Sequence, residues 1–152
     1  MESSSSSSPL KIYFIPFLTP SHMVPLFELS RLFVARGHHV TILTTPSNAR
    51  SLQSSAVSDH SHLLRFQCVQ FPSREVGLPD GLENLFQATD FDSVLKFFQA
   101  FGILQQRMED FMESDPPIAL YLTPSSPGPP TSPTDCKFPG WFSTDTLFLP
   151  SL

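Results

Sequence analysis

The sequence predicts an α/β domain built on a parallel sheet, and three features point there. Two short runs rich in β-branched and aromatic residues, "LKIYFIPF" (10–17) and "HHVTILTT" (38–45), read as buried strands. Between them, "MVPLFELSRLFVARG" sets Leu26, Leu29, Leu32 and Phe33 on one helical face, with Glu28, Arg31 and Arg36 off it. Strand, helix and strand within about 35 residues form a βαβ unit, whose strands lie parallel and whose crossover is right-handed.

The elements follow in order. Segment 1–9 is dominated by a Ser run and is expected to be disordered. Pro16 interrupts the first strand, "LTPSH" forms a loop, and the helix is expected from Met23, with Pro25 in its first turn and Gly37 as its C-cap. Beyond the second strand, "PSNARSLQSS" reads as a short helix, "AVSDHSH" as a loop and "LLRFQCVQF" (63–71) as a third strand. "PSREVGLPDGLEN" is rich in Pro and Gly and reads as a long surface loop. A helical stretch runs from Thr89 to Met112, its apolar face made of Phe91, Val94, Leu95, Phe98, Phe101, Ile103, Leu104 and Met108, with Gly102 a point of division. Asp115-Pro116-Pro117 ends it, because proline cannot continue the hydrogen-bond ladder. A doubly wound sheet calls for a fourth strand at this point. The Pro/Ser-rich run from Ile118 is not expected to supply one, which leaves the third strand an unpaired edge.

Composition narrows the function classes. At 152 residues the chain has room for one domain. A net charge of -5 spread along the chain points away from nucleic acid and from anionic membrane surfaces. Cys68 and Cys136 make no disulfide framework, and no CxxC or Cys/His cluster suggests a metal. "MESSSSSSPL" has neither the basic nor the apolar part of a secretory signal, and no apolar run reaches the roughly 18–20 residues that span a bilayer. A cytoplasmic location is expected.

In open parallel sheets, ligands gather at the carboxyl ends of the strands. "FLTPSHMVPL" lies in such a place and carries His22. An imidazole there can take a proton from a hydroxyl near neutral pH when a carboxylate holds its other nitrogen. Spacing alone explains His22 more simply as a polar loop residue or helix cap. His38 and His39 read as structural residues opening a strand, and His60 and His62 lie in a polar loop without partners.

"IYFIPFLTPSHMVPLFELSRLFVARGHHVTILTTPSNA" closely resembles the N-terminal domain of plant family 1 UDP-glycosyltransferases, and "FPSREVGLPDGLEN…ATD" resembles the acceptor-side loop of the group that glycosylates triterpenoid saponins and flavonoids. The resemblance covers about Leu10 to Pro117. It implies a truncated, Rossmann-like N-terminal half-domain of the two-domain GT-B fold. It also implies transfer of sugar from a UDP-sugar to a small-molecule acceptor with inversion. UDP-sugar is then the donor substrate; no cofactor and no metal are implied. His22 aligns with the family's general base. Ser21 stands where this group usually has Gly, which alters the loop's backbone freedom and places a hydroxyl where donor phosphates could meet it.

After the Pro-Pro the family expects a strand and loop of the form "DCIVSDMFFPWTTD", whose Asp orients the catalytic histidine. In-frame, residues 118–152 contain nothing of the kind. Reading the third base of each codon with the first two of the next permits Ser at Tyr121–Leu122, Asp at Leu122–Thr123 and Trp at Pro127–Gly128. Residues 118–152 are therefore expected to be out-of-frame translation, which sequencing the transcript across the Pro117 codon would test. Lacking the Asp and the donor-binding domain, the chain alone is expected to be inactive, and whether it counts as an enzyme stays open. The alternatives are a non-catalytic acceptor-binding or interaction fragment, or a pseudogene product. The acceptor, the sugar and the oligomeric state are not legible.

Overall fold

The computed structural model describes residues 8–54 and 62–122. The disorder expected of the Ser run, the loop holding His60, Cys136 and the tail beyond Leu122 fall wholly or largely outside them. Four strands and three helices alternate: β1 (Lys11–Ile15), α1 (Pro20–Ala35), β2 (His39–Thr44), α2 (Pro46–Ser54), β3 (Leu64–Cys68), α3 (Phe91–Ser114) and β4 (Ala119–Leu122). The strands form one parallel sheet in the order β3-β2-β1-β4. Ile12 pairs with Val40 on one side and with Ala119 on the other. Ile12, Tyr13 and Phe14 are all buried, the continuous apolar run expected of a strand covered on both faces.

Successive residues of a strand point to opposite faces. Phe14 packs on Phe33 of α1 at 5.7 Å between ring centroids, and Tyr13 stacks on Phe111 of α3 at 6.0 Å. Helices α1 and α3 therefore cover opposite faces of the sheet. Helix α1 starts three residues earlier than expected, with Pro20 in its first turn, so Pro25 lies inside it. Having no N–H, Pro25 leaves the Ser21 carbonyl without its helical donor. The helix ends as the sequence suggests. Gly37 takes φ 84, Gly37 N–H donates to Val34 O at 2.9 Å and His38 N–H to Phe33 O at 3.1 Å, which is a Schellman cap.

Helix α3 is continuous through Gly102, so the expected division does not occur. Its buried stripe is Phe97, Ala100, Phe101, Leu104, Met108 and Met112, a tighter i, i+3, i+4 pattern than the broad face read from the sequence. Phe91, Leu95 and Phe98, assigned to that face, are exposed. The long loop before α3 is less peripheral than its Pro/Gly content suggests, because Phe71, Leu78 and Leu82 join the core and two 3-10 turns (Arg74–Val76 and Leu85–Gln87) order it.

The main correction concerns β4. Residues 119–122, read as part of a strandless tail, pair in parallel with β1 from Ile12↔Ala119 to Ile15↔Leu122. The physical reason is local. "IALYL" is a five-residue apolar run placed directly after α3 and its two prolines, and the open side of β1 accepts it through backbone bonds that ignore side-chain identity. Strand β3 does lie at a sheet edge, but the tail is not the cause. The fourth strand adds to β1, on the far side from β3.

Asp115 fastens the start of β4 to β1. It forms an ion pair with Lys11, and its Oδ2 accepts from the Tyr13 hydroxyl at 2.7 Å. The Lys11 hydrogen bond, followed by that from Tyr13, holds the Asp115 carboxyl below the usual carboxylate range. Burial and the adjoining carboxylate push the Tyr13 phenol up. A depressed acid stabilises the fold above its unfolded pKa, and this contribution is lost as pH falls through the folded value. Asp115→Asn is therefore expected to lower the denaturation midpoint modestly at pH 7. The gap to the parent should close as pH drops below about 4. Urea melts of both chains across that range check this, and a gap independent of pH contradicts it.

Candidate functional site

The strand order marks the place to look. The chain steps from β1 out to β2 and β3, then returns through α3 to the other side of β1. The crossover from β1 runs out to β2 on one side and the crossover from β3 returns on the other. The strand order thus reverses at β1 and β4, and open parallel sheets bind ligands at the carboxyl ends of strands that flank such a point. His22 sits there, in the first turn of α1 and not in a loop as expected. Register places Leu122 of β4 opposite Ile15, the last residue of β1.

Two hydroxyl side chains meet at the imidazole. Thr19 Oγ1 is 2.7 Å from His22 Nδ1, Ser21 Oγ is 3.4 Å from the same nitrogen, and the two hydroxyl oxygens are 3.1 Å apart. Among the described residues, no hydrogen bond reaches Nε2. No carboxylate bonds to the ring among the described residues. Ser21, the other residue singled out from the sequence, is exposed and helical, so its replacement of a Gly costs no unusual backbone conformation.

The walls are aromatic. Phe17 meets the His22 ring edge-on at 5.7 Å and 90°, and it also contacts Phe101 at 5.0 Å and stacks on Phe98 at 6.3 Å. Phe98 is 43% exposed and Phe91 77%, giving the N-terminal half of α3 an apolar outer surface beside the site. Leu85 N–H donates to Leu18 O at 3.0 Å, pinning the preceding loop to the segment that carries His22. That loop is also locked at its far side. The buried Glu83 accepts from Ser47 N–H at the start of α2 at 2.8 Å, and Asn48 Nδ2 donates to Glu83 O at 2.8 Å.

Sequence reasoning missed Thr19 and Phe17. Thr19 could have been found from Pro20, since a Thr followed by Pro is a strong helix-start signal and puts His22 one turn from the cap. A separate cleft of about 390 Å³ lies along residues 70–75 and 80–81. Its charges are spent internally, Arg74 on Asp80 and Glu75 on Arg107, and none of its residues bonds to His22. His38 takes the structural role expected of it, its Nδ1 accepting from Leu10 N–H at 3.2 Å. His39 and His62 are exposed. The described residues hold no cluster of metal-binding side chains and no helix long and apolar enough to cross a membrane.

No family model matches the chain. Among curated proteins, it is 46% identical over 113 residues to UDP-glucosyl transferase 73CC6 of Saponaria officinalis, covering 74% of this chain and 22% of that protein. It is 39% identical over 116 residues to solanidine UDP-glucose glucosyltransferase 1 of Solanum tuberosum, covering 74% and 24%. Among solved structures, it superimposes with a TM-score of 0.67 and 32% identity on Glycyrrhiza uralensis UGT73P12 complexed with glycyrrhetinic acid 3-O-monoglucuronide, covering 76% of this chain and 24% of that one. The chain thus spans about a quarter of the length of the relatives it matches.

Proposed function

Over three quarters of its length the chain belongs to the plant UDP-glycosyltransferase family, and from that premise we propose that it carries the acceptor side of sugar transfer without completing the reaction alone. The observation behind this reading is His22, at the carboxyl ends of β1 and β4, with Nε2 unbonded among the described residues and a half-exposed aromatic wall beside it. A flat, apolar, hydroxylated molecule such as a triterpenoid or flavonoid suits such a wall. In the full reaction, Nε2 takes the proton of the acceptor hydroxyl while its oxygen attacks the anomeric carbon of a UDP-sugar. The C–O bond to UDP breaks on the opposite face, so configuration inverts. Ser21, exposed at the same helix start, is offered as a weaker contact to the donor.

Among the described residues, no charged side chain bonds to His22. After proton abstraction the imidazolium needs a carboxylate at its other nitrogen, and there it meets only hydroxyls among the described residues. We read residues 118–152 as translated out of frame. The orienting Asp of the family would then fall at Leu122–Thr123, and register puts Leu122 beside the end of β1 that leads to His22. The same reading makes the chain a cytoplasmic protein with no nucleic-acid partner, consistent with its net charge of -5.

Acceptor binding tests the proposal. Titration of the chain with a triterpenoid or flavonoid aglycone is expected to saturate. Phe98→Ala should weaken it about tenfold, or about 1.4 kcal/mol, with little effect on stability because the ring is 43% exposed. Non-saturable uptake, or equal binding by the variant, contradicts this placement of the acceptor.

A further inference from the structure

We propose that Thr19 is a positioning residue that fixes the tautomer of His22, doing by a hydroxyl part of what a carboxylate would do. Thr19 is the N-cap of α1, with φ -136 and ψ 148, and is 4% exposed. A threonine at this position ordinarily accepts a hydrogen bond from a backbone N–H of the first turn, an interaction worth about 1 kcal/mol. Here its side chain makes no such bond. The His22 N–H turns instead to Thr19 O at 3.1 Å, while Thr19 Oγ1 lies 2.7 Å from His22 Nδ1. The cap hydroxyl has been diverted from the backbone to the ring.

The direction of this bond is the substance of the proposal, and the neighbouring hydroxyl makes room for it. Ser21 Oγ, 3.1 Å from Thr19 Oγ1, gives the threonine proton an acceptor. Thr19 Oγ1 is then free to accept from the imidazole, in the order His22 Nδ1–H to Thr19 Oγ1–H to Ser21 Oγ. Which ring nitrogen carries the proton is set by the bond the other makes. With the proton held at Nδ1, the lone pair lies on Nε2, which is what proton abstraction from an acceptor requires. Phe17, edge-on at 5.7 Å, limits rotation of the ring out of this pose. A neutral hydroxyl can select the tautomer but cannot balance an imidazolium. The base is thus correctly posed and weakly supported.

The inference rests on reading His22 as the base, yet it is tested without substrate. Long-range ¹H–¹⁵N correlation of the labelled full chain, at a pH where the ring is neutral, reports the protonated nitrogen directly. The His22 signal is assigned by its loss in His22→Gln. The parent chain is expected to show mainly Nδ1–H. Thr19→Val should move the population to Nε2–H, and Thr19→Ser should retain the parent pattern. A parent chain that is mainly Nε2–H overturns the proposal by itself, whether or not Thr19→Val folds. So does a folded Thr19→Val with unchanged populations. Failure of acceptor binding with the expected tautomers would instead count against the functional reading alone.

Discussion

Leu120→Asp is expected to unfold the domain. Leu120 is 1% exposed and lies between the helices that cover the sheet, paired in register with Tyr13. A carboxylate there would replace a side chain of the apolar core, and burying an unpaired charge costs several kcal/mol. That matches the whole stability of a typical domain, roughly 5–15 kcal/mol. Leu120→Ala should cost about 2–5 kcal/mol through the cavity it leaves. Two residues earlier, Ile118 is 48% exposed, so Ile118→Asp should change stability by no more than about 0.5 kcal/mol. Urea denaturation followed by circular dichroism separates the three variants. Equal stability of Leu120→Asp and the parent would remove β4 from the fold.

The second large effect is on chemistry. In a well-studied hydrolase, neutralising the carboxylate that orients a catalytic imidazole lowers turnover by about 10⁴. Here the Nδ1 partner is Thr19, and the chain spans about a quarter of its relatives' length. The shortfall falls on the base, whose ring meets only hydroxyls among the described residues. Glucoside formation by the chain alone is therefore expected to stay at background. Replacing His22 should not lower it further, since a base that achieves no turnover has none to lose.

Much of the fold was legible because its signals are local. The run "IYF" gives a strand buried on both faces, and Gly37 gives the cap that turns α1 back toward β2. What escaped depends on tertiary context. Strand β4 was hidden by the Pro/Ser composition that follows it, although the run "IALYL" needed only an open strand beside it. On α3, the phenylalanines at 91, 97, 98 and 101 look alike in sequence. Only docking against Phe17 and Phe71 decides that Phe97 is buried and Phe91 is not. The site was half legible. His22 stood out by resemblance, whereas Thr19 becomes visible only once α1 is known to start at Pro20.

The central claim is that this chain presents an acceptor to His22 without transferring sugar to it. One sample tests it, holding the chain, an aglycone in the range where binding saturates, and UDP-glucose, with products followed by mass-resolved chromatography. The expected result is a saturated complex and no glucoside above the protein-free control. Glucoside that accumulates in proportion to protein, and disappears with His22→Ala, would contradict the account.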